Sequence, residues 1–106
     1  MGKISIITIC FNSEKTIFKT LESVKKQSFN NIEHIIIDGA SNDKTLEICK
    51  EYSNSIKIIS EQDNGVYDAF NKGLKLATGD VIGFLNADDT FYNENSIQDI
   101  VDAFSN

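Results

Sequence analysis

A chain of 106 residues fits one small domain around one core. Its 41% hydrophobic and 25% charged residues are those of an ordinary globular domain and exclude disorder, and no apolar run approaches the ~20 residues of a membrane-spanning helix. The net charge of −6, from 16 acidic and 10 basic residues, leaves no basic footprint for nucleic acid.

The chain opens Met1-Gly2-Lys3 and runs at once into the β-branched stretch 3–9, the pattern of a strand buried in a parallel sheet. No cleavage site or longer apolar stretch marks a secretory signal, so a cytoplasmic location is expected. Residues 14–27 change to helical spacing, with Ile17, Phe18, Leu21 and Val24 on one face and Lys15, Lys19, Lys25 and Lys26 on the other. Residues 33–38 form a second strand that ends in Asp38-Gly39. Ser41 or Asn42 caps the next helix, with Asp43 in its first turn and Leu46, Cys49 and either Tyr52 or Ser53 toward the sheet.

Residues 56–60 predict a third strand and 67–77 a helix closed by Gly79 as a left-handed cap residue. Residues 80–85 are the fourth strand. A last helix starts near Asn95 or Ser96, where Asn95 and Gln98 have capping-box spacing, and continues through Ile97, Ile100, Val101 and Phe104. Cys10 and Cys49 lack metal-ligand spacing and are expected to be reduced, buried small hydrophobes.

Strands alternating with helices imply βαβ units and a mostly parallel sheet covered on both faces, a three-layer Rossmann-like sandwich. Ligands of such sheets sit outside the carboxyl ends of the strands. The polar, irregular segments after Ile9, Ile37 and Leu85 all fall at those ends and would converge on one edge.

Asp88 and Asp89 follow the fourth strand as adjacent carboxylates, which repel unless a cation lies between them. A hard divalent ion, Mn²⁺ or Mg²⁺, shared with phosphate oxygens answers that need, and a solvated acidic turn is the alternative. Asp38 either accepts a hydrogen bond from a nucleobase or ribose or starts an Asx turn. Phe11 either stacks on a base or packs under the first helix. Gly73, inside a helix, costs ~1 kcal/mol relative to alanine, which points to close packing against a strand or ligand. Asn71 lies close to the helix face defined by Tyr67 and Leu74, and Asp63 and Asp68 are either ligand contacts or solubilising charges. His34, mid-strand with no partner motif, is expected to serve packing.

Five pieces occur in order: Ser5-Ile6-Ile7 to Phe11-Asn12; Ile35-Ile36-Ile37-Asp38-Gly39-Ala40-Ser41-Asn42-Asp43; Asn64-Gly65 through Ala69-Phe70-Asn71-Lys72-Gly73; Ala77-Thr78-Gly79-Asp80; and Phe84-Leu85-Asn86-Ala87-Asp88-Asp89. In this order and spacing the chain resembles the opening part of family 2 glycosyltransferases. The resemblance implies a GT-A fold that binds a nucleoside-diphosphate sugar, a UDP-sugar foremost, for transfer to a saccharide or lipid-linked acceptor in cell-surface polysaccharide synthesis. It places Phe11 beside the base, Asp38 at the base or ribose, Asn71 and Asp88 at the nucleotide sugar, and Asp88 and Asp89 in the "DxD" region with Mn²⁺ or Mg²⁺. Many relatives have a second acid where Gly39 stands, an aspartate where Asn86 stands and an arginine where Phe70 stands.

Inverting relatives take their catalytic base from the second half of the domain, so the base and the acceptor half are expected beyond residue 106 and this stretch alone is expected to be inactive. Peripheral association with the inner face of a membrane, and a homodimer formed through an unpaired edge after the fourth strand, are compatible expectations. The competing readings are a non-catalytic α/β nucleotide-binding or interaction domain and an Asp-based phosphohydrolase. The latter needs two acids one residue apart after its nucleophile strand, and Asp38-Gly39-Ala40 has one acid only. A dehydrogenase is disfavoured because no GxGxxG follows the first strand.

Overall fold

The structure is a computed structural model that describes residues 2–52 and 55–105. Strands and helices alternate: β1 (Ile4–Cys10), α1 (Ile17–Lys25), β2 (Ile32–Asp38), α2 (Thr45–Tyr52), β3 (Lys57–Ser60), α3 (Val66–Leu76), β4 (Val81–Phe84) and α4 (Ser96–Ser105). All strand pairs are parallel, in the order β3-β2-β1-β4. The two central strands are buried along almost their whole length, as their unbroken isoleucine runs require, while β3 and β4 at the edges are half exposed.

Side-chain alternation splits the core into layers. Cys10 and Ile36 pack with Ile17 and Leu21 of α1 and Cys49 of α2. Ile4 and Ile6 pack with Val24, Ile97 and Val101, which brings α1 and α4 to one face. Ile7, Ile35 and Ile37 face the other way, onto Ala69 of α3. Successive units first build outward from β1 through β2 to β3. The α3 crossover then returns the chain past β2 and β1 to β4 on the far side. Strand order therefore reverses between β1 and β4, and a crevice opens at their carboxyl ends.

Several local expectations need correction. Phe18 is 49% exposed at the rim, edge-on to Tyr52, and Thr20 takes the buried place because its hydroxyl has partners in the loop after β4. Asp43 precedes α2 and accepts hydrogen bonds from the Thr45 N–H and hydroxyl at 2.9 and 2.6 Å, so it acts in the capping role expected of Ser41 or Asn42. Gly79 is not a left-handed cap. After Ala77 the chain is extended, and a Cβ on Gly79 would stand 2.7 Å from Ser5 N and 2.9 Å from Lys3 O, so the glycine permits close passage over β1.

The capping box before α4 does not form: Asn95 Oδ1 accepts from the Ser28 hydroxyl and the Gln98 amide donates to Asp102. Ser96 pairs with Asn93 there instead. Ile97 and Val101 are buried but Ile100 is exposed. Ser53, and the side chain of Phe104, lie outside the described residues.

The amino end of the sheet is held by Glu33. Its carboxylate meets Lys57 at 2.6 Å and Lys3 at 3.4 Å, and accepts from Ser5 Oγ, Thr78 N and Thr78 Oγ1. Burial alone would raise its pKa, but the Lys57, Thr78 and Ser5 hydrogen bonds outweigh that and hold it well below the usual carboxylate range. His34 donates to or accepts from Thr8 Oγ1 at 2.8 Å, and burial pushes its pKa down to about 4.

Candidate functional site

The crevice at the strand-order reversal is a cleft of about 660 Å³. Phe11 and Gly39 line one wall, Gln62 and Asp63 a second, and Asn86 and Asp88 a third. Ala69 and Val66 of α3 contribute apolar floor.

The first wall is a rigid platform. Beyond β1 the chain turns at Asn12, with φ of 48°, and beyond β2 at Ala40, with φ of 64°, both left-handed conformations that a non-glycine residue adopts only when held there. The holding groups are mutual. Asn12 N donates to Ser41 Oγ at 2.8 Å and Asn12 Oδ1 accepts from Asn42 N at 2.9 Å. Ser13 N donates to Thr45 Oγ1, Glu14 N to Asp43 Oδ2, and Lys44 N to Glu14 Oε2. These bonds clamp the β1–α1 loop to the β2–α2 loop and fix Phe11, 59% exposed, against the cleft rather than under α1.

Asp38 lies beneath this platform and is 0% exposed. Its oxygens accept from Ser41 N at 3.0 Å, from the Ser41 hydroxyl, from Ser60 Oγ at 2.7 Å and from Cys10 Sγ at 3.5 Å. The pKa of the Cys10 thiol is pushed up by hydrogen bonding with the Cys49 thiol, by burial and by the Asp38 carboxylate, which keeps it protonated as a donor. Cys10 and Cys49 are free and buried.

The third wall is a tight turn. Leu85 N donates to Ile7 O at 3.0 Å, which extends the β4 ladder by one bond. Asp89 N then closes on Asn86 O at 3.0 Å, while the Thr20 hydroxyl stands 2.9 Å from Ala87 O and 2.7 Å from Asp89 O. The turn directs Asp88 into the cleft and leaves Asp89 exposed outside its lining. Among the described residues no ion pair reaches either carboxylate, and no group of three or more His, Cys, Asp or Glu could hold a metal unaided. Two unpaired hard oxygen donors fit an ion such as Mg²⁺ or Mn²⁺, which completes its shell with water and phosphate oxygens.

Asp63 and Asp68, equivalent in the sequence, separate here. Asp68 accepts from Asn64 N and pairs with Lys72 at 3.3 Å, so it fastens the loop before α3. Asp63 faces the cleft. Asn71 is exposed on α3 and does not line the cleft. Phe70 stacks edge-on against Phe84 of β4 at 4.6 Å, which gives that position an apolar packing role in place of a charge. Ser41, expected from the sequence as a helix cap, and Ser60 are instead the hydroxyl partners of Asp38. Ser41 sits at Asx-turn spacing from Asp38, but only the β2–β3 register, which pairs Asp38 with Ser60, brings the second serine in.

A four-stranded parallel sheet covered by helices, with its cleft at the strand-order reversal, defines a doubly wound α/β domain whose ligands sit at the carboxyl ends of the strands. The chain belongs to glycosyl transferase family 2, whose model matches residues 5–106. It is 36% identical over 104 residues to an uncharacterized glycosyltransferase of Mycobacterium tuberculosis, covering 96% of this chain and 40% of that protein. It is 35% identical over 97 residues to a PGL/p-HBAD biosynthesis glycosyltransferase of Mycobacterium bovis, covering 88% of this chain and 38% of the other.

The crystal structure of S. aureus TarS 1–349 in complex with UDP-GlcNAc superposes with a TM-score of 0.87 at 30% identity, over 97% of this chain and 31% of that one. The mannosyltransferase PcManGT of Pyrobaculum calidifontis, in complex with GDP-Man and Mn²⁺, shares the fold with a TM-score of 0.91 at 20% identity, over 98% and 32% of the chains. The chain thus spans well under half the length of these relatives. No helix among the described residues is long and apolar enough to cross a membrane.

Proposed function

We propose that this cleft binds the nucleoside diphosphate of an activated sugar, and that the protein transfers the sugar to a hydroxyl of a saccharide or lipid-linked acceptor in cell-surface polysaccharide synthesis. The observation that carries the reading is the pairing of an exposed aromatic, Phe11, on one wall with the Asp88 turn on the opposite wall of a cleft large enough for a nucleotide. A base lies against Phe11, where stacking contributes ~1–3 kcal/mol. Asp88, which lines the cleft where Asp89 does not, would hold a divalent cation against the diphosphate, and that ion would supply neutralisation of charge on the departing group. The clamped loops hold the Phe11 wall and the Thr20 hydroxyl holds the Asp88 turn before ligand arrives, so little ordering cost falls on binding.

Inversion at the anomeric carbon requires a base opposite the departing diphosphate. Glu94, Asp99 and Asp102 do not line the cleft, which argues against each of them as that base. The unpaired outer edge of β4, with Ile82 and Phe84 exposed, is the surface through which two copies would pair.

Isothermal calorimetry and thermal melting with UDP or GDP, with and without Mn²⁺, test the reading. Ligand at one hundred times its dissociation constant stabilises the fold by ~2.7 kcal/mol. Nucleotide and Mn²⁺ together should raise the melting temperature by more than the sum of their separate effects, and Asp88→Asn should abolish that excess. Equal shifts with and without metal would remove the ion from the site.

A further inference from the structure

The cleft holds one carboxylate oxygen aimed at its aromatic wall. Asp63 lies in the loop between β3 and α3, and its Oδ1 accepts from Gly65 N at 3.2 Å. Its Oδ2 points the other way. A Cβ built on Gly39 would stand 3.1 Å from that oxygen and 3.5 Å from Cδ1 of Phe11. Gly39 is therefore a spacer: its missing side chain leaves the Phe11 ring and the Asp63 carboxylate facing one small volume.

Asp38 is placed differently. A carboxylate has about four lone-pair sites, and the Asp38 oxygens already accept from Ser41 N, Ser41 Oγ, Ser60 Oγ and Cys10 Sγ. Buried and fully engaged, it has no acceptor capacity left for a ligand. Its bond to the Ser41 hydroxyl, which in turn accepts Asn12 N, makes it the support of the Phe11 platform.

Resting on the function proposed above, we infer that Asp63 Oδ2 reads the base of the bound nucleotide, and that Asp38 is a positioning residue. An ionised carboxylate only accepts hydrogen bonds. It therefore favours a base whose pairing edge carries a ring N–H, as uracil does at N3 and guanine at N1. Cytosine and adenine present a bare ring-nitrogen lone pair at that place and are repelled. The substrate class is a uridine- or guanosine-diphosphate sugar, and Asp63 is what excludes the cytidine and adenosine forms.

The experiment is calorimetric titration of the wild-type, Asp63→Asn and Asp38→Asn proteins with UDP, GDP, CDP and ADP in Mn²⁺. Wild type should bind UDP or GDP at least about tenfold tighter than CDP and ADP, the scale of one hydrogen bond to a charged group. Asp63→Asn can keep the bond to Gly65 N through its amide oxygen, which turns the amide NH₂ toward the gap at Gly39. The preference should then collapse or invert toward CDP and ADP, with Mn²⁺–pyrophosphate binding unchanged. Asp38→Asn should lower the melting temperature and weaken all four nucleotides together. An unaltered base preference in Asp63→Asn overturns the assignment, as does loss of that preference in Asp38→Asn at an unchanged melting temperature. Failure of wild type to bind any of the four would instead sink the function proposed above.

Discussion

Gly73→Ala sets two effects of known sign against each other. In an isolated helix the change is favourable by ~1 kcal/mol, because glycine loses more backbone entropy than alanine. In this fold the new Cβ would stand 2.6 Å from Ile7 Cγ2, 3.0 Å from Cδ1 and 3.2 Å from Cγ1, where ordinary carbon contacts need ~3.5–4.0 Å. Ile7 is β-branched, fully buried in a central strand and packed on Ile35, Ile37 and Ala69, so it has no room to rotate away. Overpacking of this kind costs ~1–3 kcal/mol. The clash wins, for a net loss of about 1 kcal/mol, or a fall of ~4–8 °C in melting temperature for a domain of this size.

Because α3 carries Val66 and Ala69 into the cleft, its displacement should also weaken nucleotide binding. Circular-dichroism melts and urea titrations read the stability. A double-mutant cycle isolates the cause: Ile7→Ala removes the obstructing atoms, so the pair should lose at least ~0.5 kcal/mol less than the sum of the single variants. An unchanged or raised melting temperature in Gly73→Ala, or an additive cycle, would refute the close-packing argument.

Gly79→Ala should be more damaging than Gly73→Ala, since its obstacles are the backbone atoms Ser5 N and Lys3 O, which cannot rotate aside; thermal melts of the two variants side by side check the ranking. Stability should fall with acid in two stages. His34 is neutral in the fold with its pKa lowered from 6.5 to about 4, so the unfolded chain takes up the proton first and up to about 3 kcal/mol is lost as pH falls between those values. Glu33, whose pKa is held down by its partners, contributes stability that is present above its unfolded value of 4.5 and lost as pH falls below it. Urea titrations from pH 8 to pH 3 should show His34→Gln losing the slope above pH 4.5 while keeping the one below.

What the residue pattern alone determined was the order and type of the elements. Isoleucine runs cannot be solvated, helical spacing of Ile17, Leu21 and Val24 needs a sheet to cover it, and a parallel sheet places its loops at one edge. The family resemblance and the polar segments after β1, β2 and β4 were likewise readable, because backbone turns and ligand loops demand particular residue types at short range. The assignment within the site was not. The sequence points to Asp38 as the acid at the base and leaves Asp63 undecided, and only the β2–β3 register, which sets Ser60 beside Asp38, together with the gap over Gly39, shows Asp38 engaged at both oxygens and Asp63 with Oδ2 turned to the gap. Gly79 looked like a cap because its local sequence suits one, whereas its passage over β1 is a contact with a residue 74 positions away. Local propensity acts over a few residues, while hydrogen-bond saturation and steric exclusion depend on which distant segments the fold brings together.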